Sequence, residues 1–154
     1  MDNNQPAYTP PSPPVYVPPQ PLSPSDERTW AMLAHLSVLL NLVTGFLGVV
    51  GALVIYMVYK DRSRYVAYQS LQSLIFQLIW WVGGGIVTAI AWTITGVLSA
   101  VLIGLICIPI ACIISLLPLG ALVYGIVGAV QCNSGQDFRY WLVGDWVRST
   151  LNGS

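Results

Sequence analysis

A chain of 154 residues with 55% hydrophobic and only 8% charged residues falls far below the roughly one-quarter charged content of ordinary soluble domains. Its formal net charge of zero supplies no overall field to attract nucleic acid, and its length allows one membrane domain and a tail. Apart from Asp2, the charges cluster in four small groups: Asp26, Glu27 and Arg28; Lys60, Asp61, Arg62 and Arg64; Asp137 and Arg139; Asp145 and Arg148.

Residues 1–24 hold nine of the eleven prolines. Proline fixes φ and removes backbone donors, so this stretch is expected to be a disordered tail biased to polyproline II. Pro10 to Pro13 has P-x-x-P spacing and Pro13-Pro14-Val15-Tyr16 has the form that WW domains recognise, but a spacer is the plainer reading. The first 28 residues show neither a basic nor an apolar signal-peptide region, so the first apolar segment is expected to act as an uncleaved insertion signal. Ser23, Pro24, Asp26 and Glu27 form a helix start, with a serine cap, proline at the first position and acids at the positive dipole end.

Residues 29–59 are 31 consecutive uncharged positions, interrupted near Gly45. They predict a short helical hairpin over 28–44 and 46–59. Each arm is ~21–26 Å long, short for a ~30 Å hydrocarbon core, so two crossings and a shallow hairpin both remain open. Residues 65–136 are 72 positions without Asp, Glu, Lys or Arg. A stretch with no charged face has no side for water, and at ~20 residues per crossing it traverses a bilayer more than once. A third helix is predicted over residues 65–94, with a turn at Thr93, Thr95 and Gly96. A fourth spans residues 97–132, kinked at Pro109 and Pro118. The fold class is therefore an all-α membrane protein of about four transmembrane helices. It has a short first hairpin, long third and fourth helices and a proline-rich tail, with a membrane domain over 25–142 and a C-terminal tail over 143–154.

Orientation follows from the basic residues. Four crossings put Arg28, Lys60, Arg62, Arg64 and Arg139 on one side together with Arg148, and the positive-inside rule makes that side cytoplasmic. The expected location is the cell membrane, multi-pass, with both termini in the cytoplasm. Tyr56, Tyr59, Tyr65 and Tyr68 bracket the basic loop, and Tyr140, Trp141 and Trp146 follow the last helix as an interfacial belt. Trp80 and Trp81 fall too deep for a belt and are expected between helices.

Polar groups within the apolar part are few. His35, the one histidine, calls for a partner wherever it lies in hydrocarbon, either a backbone carbonyl or a glutamine of a neighbouring helix. Gln69, Ser73 and Gln77 recur at four-residue spacing on one face, with Gln72 beside them. Such amides are interhelical contacts worth ~0.6–2 kcal/mol each, or the lining of a polar path. Gly96, Ala100 and Gly104, and again Ala121, Gly125 and Ala129, are small residues at a spacing that permits close helix approach. Gly83-Gly84-Gly85 loosens the third helix. Cys107, Cys112 and Cys132 show no C-x-x-C spacing and are expected as small buried side chains. No phosphate loop, nucleophile elbow, zinc pair or carboxylate dyad occurs, so neither catalysis, cofactor nor metal is expected.

Three stretches carry a family likeness: residues 26–37 (DERTWAMLAHLS), 56–73 (YMVYKDRSRYVAYQSLQS) and 134–140 (SGQDFRY). In this order they resemble a family of small prokaryotic membrane proteins related to the Tic-twenty-like component of the chloroplast inner-envelope import machinery. The likeness covers about residues 26–142. It departs from that family at Gln69, where a histidine is common, and at Trp141, where a proline is common. It implies four helices and no known catalysis. The expected function is a non-enzymatic membrane protein whose partners are the lipid bilayer and other membrane proteins or copies of itself. A small channel, carrier or translocation component with His35 and the Gln69–Gln77 stripe lining a path is the alternative.

Overall fold

The computed structural model describes residues 19–153, so the proline-rich tail assigned to residues 1–24 lies mostly outside them. Within that range the regular secondary structure is helical throughout. α1 (Pro24–Leu36) starts as the sequence indicates: the Ser23 side chain accepts from the Asp26 amide at 3.2 Å, Pro24 opens the first turn, and Asp26 and Glu27 follow. A short 3₁₀ stretch, Ser37–Leu39, carries α1 straight into α2 (Leu40–Thr44). Gly45, at φ +82°, then reverses the chain in a conformation that a side chain would strain, and α3 (Leu47–Tyr59) runs back.

Ser63 caps α4 (Arg64–Gln77) by accepting from the Val66 amide at 3.1 Å. This helix passes through a π-helical stretch, Leu78–Gly83, into α5 (Gly84–Ser99). The glycine triplet thus marks the loosened place in the helix. The turn expected at Thr93, Thr95 and Gly96 is not there. α5 continues to Ser99, because Thr93, Thr95 and Ser99 donate their hydroxyls at 2.8 Å to the carbonyls of Ala89, Ala91 and Thr95 one turn back. Hydroxyls satisfied within the helix give no reason to end it in apolar surroundings. The chain turns at residues 100–103, where Leu102 stands at φ +64°. α6 (Gly104–Ser115) and α7 (Leu117–Asn133) then make one continuous limb containing Pro109 and Pro118. A non-helical segment leads to α8 (Gly144–Asn152).

Two limbs, Arg64–Ser99 of 36 residues and Gly104–Asn133 of 30 residues, are long and apolar enough to cross a membrane, while Leu47–Tyr59 is a shorter apolar helix. Of the four crossings expected from sequence, two limbs therefore meet the length requirement. α1 packs on α7 and α4, α3 on α4, and α5 on α6. The stripe at 121, 125 and 129 is the face of α7 that meets α1. A Cβ built on Gly125 would sit 2.8 Å from Val38 Cγ1, and one on Gly128 would sit 2.7 Å from Phe138 Cε1. The stripe at 96, 100 and 104 divides differently: Gly96 and Ala100 are exposed, and only Gly104 is buried. Trp80 and Trp81, expected to be buried between helices, are only half-buried; the Trp81 indole donates to the Gly45 carbonyl, and the Trp80 indole N–H is buried without a partner among the described residues. Among the cysteines Cys132 is buried and Cys107 half-buried, but Cys112 is exposed on the apolar surface of α6.

The segment set apart as a C-terminal tail belongs to the folded body. Val143 and Val147 are buried and α8 lies against α4. Every Lys and Arg of the chain lies at one end of the bundle, where contacts tie the pieces together. Ser63 donates to Glu27 at 2.5 Å, Arg62 to the Gln20 carbonyl at 3.0 Å, and Arg139 pairs with Asp145 at 2.8 Å.

The helix contacts yield a direct test. Gly128→Ala should lower the thermal stability of the detergent-solubilised chain by ~1–3 kcal/mol through overpacking. Gly96→Ala, where the added methyl meets open space, should leave stability unchanged or raise it by ~0.5–1 kcal/mol. Intrinsic-fluorescence melting of the two variants decides the matter.

Candidate functional site

The buried face of the first limb holds Ala31, Ala34, His35, Ser37, Val38 and Asn41, small and polar residues at helical spacing. Small side chains let α4 and α7 approach closely, and the polar ones then meet the glutamine stripe of α4. Gln69, Ser70, Gln72, Ser73 and Gln77 are all buried to 1% exposure or less. The sequence-predicted set of His35, Gln69, Gln72, Ser73 and Gln77 is thus brought together at one place.

His35 is held at both nitrogens. Nε2 lies 3.0 Å from Gln69 Oε1 and Nδ1 lies 3.0 Å from the Tyr140 hydroxyl. An amide oxygen only accepts, so Nε2 carries a proton; in the neutral imidazole Nδ1 then accepts from Tyr140, and neither nitrogen is free. The partner is a glutamine of the neighbouring helix, one of the two partners the sequence suggests. Gln69 is fixed in turn: its oxygen also accepts from Gln72 Nε2, and its amide donates to the Phe138 carbonyl at 3.2 Å and Asp137 Oδ1 at 3.4 Å. Gln72 donates to the Phe138 carbonyl at 2.8 Å and accepts from the Tyr140 amide at 3.3 Å. The pairing continues toward the hairpin turn. Ser73 and Ser37 both donate to the Ala34 carbonyl at 2.8 Å, Gln77 donates to both serine hydroxyls at 3.0 and 3.1 Å, and Asn41 donates to Gln77 at 3.0 Å. Asn41 also accepts the Gly48 amide at 2.8 Å, tying α3 to the same network.

Tyr140, Phe138 and Asn41 are members of the network that the sequence does not single out. Tyr140, grouped there with Trp141 and Trp146 as an interfacial aromatic, is 2% exposed, whereas Trp141 is 83% and Trp146 59% exposed. The segment after α7 folds back into the bundle, with Phe138 and Tyr140 inward and Arg139 and Trp141 outward. That period-two alternation is the mark of an extended segment with one buried side. Inside, the Tyr140 ring stacks on Phe76 at 3.9 Å, and Phe138 meets His35 edge-on at 5.3 Å. Burial pushes the Tyr140 hydroxyl above its ordinary range, so it stays a protonated donor to His35. Asp137 reaches the cluster through Gln69, although no carboxylate touches the imidazole.

An apolar cleft of about 270 Å³ between Phe76, Trp80, Leu117, Ala121, Tyr124 and Trp141 opens beside the network. A second, polar cleft of about 320 Å³ lies at the charged end, between Arg64, Tyr68, Asp137 and Arg148. None of His35, Gln69, Gln72, Ser73 and Gln77 lines either cleft. Among the described residues no three His, Cys, Asp or Glu side chains come together as a metal-binding group.

The family model for MamF and MmsF, the magnetosome magnetite crystal formation protein family, matches residues 26–147. No curated protein and no solved structure matches the chain. The match corrects the likeness drawn from the three sequence stretches. Those stretches fall within residues 26–147, and the model that claims them is the magnetosome family and not a Tic-twenty-like one. The likeness rested on three short charged and aromatic stretches, whereas the family match spans residues 26–147.

The network should behave as one unit under mutation. Removing one partner from a buried pair strands the other, so His35→Leu and Tyr140→Phe should each cost ~1–3 kcal/mol. In the double mutant the loss should fall short of the sum by at least ~0.5 kcal/mol. Additive losses in chemical or thermal unfolding would show that the two side chains do not interact.

Proposed function

The chain belongs to the magnetosome magnetite crystal formation protein family, and on that premise we propose that it serves crystal formation as a non-enzymatic, multi-pass membrane protein. It acts by packing with itself or with other membrane proteins. The observation that carries this reading is the pairing of His35 and the glutamine stripe with protein groups; the buried Trp80 indole N–H and Thr88 hydroxyl, which have no partner among the described residues, lie outside that set. A catalytic or conducting group needs an atom left over for substrate or water. His35, Gln69, Gln72, Ser73 and Gln77 are 0–1% exposed, and both imidazole nitrogens are engaged by protein. Groups bonded in this way hold helices at fixed separations, the usual role of amides and imidazoles in hydrocarbon.

The outer surface supports the membrane part of the proposal. Val43 is 87%, Val97 69%, Ile106 76% and Ile113 67% exposed. Apolar side chains at that density favour lipid over water. The limb over residues 24–44 rises ~32 Å and α3 ~20 Å, so a first hairpin that also crosses requires a bilayer locally thinned around α3. All basic residues then lie on one side, which the positive-inside rule assigns to the cytoplasm along with both termini.

Topology and flux together test the proposal. Reporter fusions at Asn3, Ser63 and Ser154 should each be active as cytoplasmic reporters, and an external signal at Ser154 beside an internal one at Ser63 would require an odd number of crossings. Liposomes containing the purified chain should pass protons, ions and small solutes no faster than empty vesicles. Flux abolished by His35→Leu, with unfolding unchanged, would overturn the packing role in favour of a conducting path.

A further inference from the structure

At the charged end, the start of α4 and the second half of α8 face each other across the polar cleft of about 320 Å³. Two guanidinium groups border it from opposite helices. Arg148 is held in place by Asp137 and by the Tyr68 ring, whose centroid is 4.6 Å from its guanidinium carbon. Arg64 donates through Nη2 alone, to the Leu151 carbonyl at 3.1 Å and Asn152 Oδ1 at 2.8 Å. Among the described residues, its remaining guanidinium edge meets no acceptor. The Tyr65 hydroxyl donates to the Gln136 carbonyl at 2.9 Å, fixing the cleft wall against the segment that follows α7. Among the described residues that line it, two cations face the one carboxylate of Asp137, which gives the cleft a net positive charge.

We propose that this cleft binds a phosphate group at the membrane surface. Phosphate fits the arrangement better than a carboxylate, since it brings more charge and enough oxygens to engage two guanidinium forks at once. The cleft lies at the end of the bundle where all Lys and Arg gather, and α8, which brings Arg148 to it, also carries the exposed indole of Trp146. Indoles at that level mark the headgroup region, and basic clefts between helices there take anionic headgroups. A lipid phosphodiester and a soluble phosphate share this chemistry. The lipid source rests on the membrane reading given above, whereas the binding cleft does not.

Two arms of one experiment separate the sources. The full chain in nanodiscs of phosphatidylcholine, with or without phosphatidylglycerol, is analysed by native mass spectrometry for retained lipid. The same chain in detergent is titrated with inorganic phosphate against chloride at equal ionic strength and followed by thermal shift. Preferential retention of phosphatidylglycerol assigns the headgroup, and stabilisation by inorganic phosphate alone assigns a soluble phosphate. In either case Arg64→Gln should weaken binding about fivefold, and Asp137→Asn should strengthen it by a similar factor. The gain is informative because a misfolded variant does not bind more tightly. Equal binding of both probes by wild type, Arg64→Gln and Asp137→Asn would overturn the proposal. The detergent arm reads the cleft without a bilayer, so its outcome is independent of how many times the chain crosses the membrane.

Discussion

A polar group inside apolar surroundings must find a partner, and in this chain that requirement fixes how four helical limbs are put together. Leaving one such group unpaired costs about 1–3 kcal/mol, and the core contains His35, Ser37, Asn41, Gln69, Gln72, Ser73 and Gln77. Hydrocarbon-like packing alone does not prescribe which helix faces meet. The His35–Gln69 and Asn41–Gln77 bonds, each 3.0 Å, set the register of the first limb on α4 at two levels. Residues 35 and 41 on one limb match 69 and 77 on the other, about two turns apart on both. A slip by one turn would break both pairs together.

The same demand explains why the chain folds back after α7. Gln69 and Gln72 present two amides that α1 alone leaves partly unsatisfied, and the Phe138 carbonyl and Tyr140 amide supply what is missing. Once Phe138 and Tyr140 are inside, Val143 and Val147 follow and seat α8 on α4. The charged end is therefore ordered by the polar core beneath it. Asp137 joins the two, bonded to Gln69 on one side and Arg148 on the other.

Helix positions were legible in the sequence wherever caps and breakers mark them. Ser23 with Pro24, Gly45, and the basic loop before Arg64 all stand where helices begin or reverse. The face of α4 was legible too, because glutamines spaced by four can share only one side. What escaped was non-local. Tyr140 has the composition of an interfacial aromatic, and only its alternation with Arg139 and Trp141 distinguishes an inward strand-like segment from a solvent loop. Asn41 was overlooked although it continues the buried line of Ala34, His35 and Val38. The turn at Thr93 was misplaced because hydroxyl residues signal loops in water. In an apolar helix they bond the carbonyl one turn back. The family likeness failed for a related reason: it rested on short flanking motifs, whose basic and aromatic residues answer to the demands of a membrane boundary.

Length explains the remaining feature. A helical limb of 36 residues rises ~54 Å, well beyond a ~30 Å hydrocarbon core, so a straight upright limb would not be covered by lipid alone. Both long limbs leave ideal α geometry at one level. Leu78–Gly83 is π-helical in the first, and the second is interrupted between Ser115 and Leu117. The levels coincide because a Cβ on Gly84 would lie 3.9 Å from Pro118. Toward the charged end of that level sits the bundle with its polar core. Away from it α5 and α6 pack mainly on each other, with few buried residues. A helix is easiest to bend where a π turn or proline has already removed regular hydrogen bonds. The breaks therefore fall where a rigid, polar-cored half gives way to an apolar hairpin with lipid-like surfaces on nearly every side.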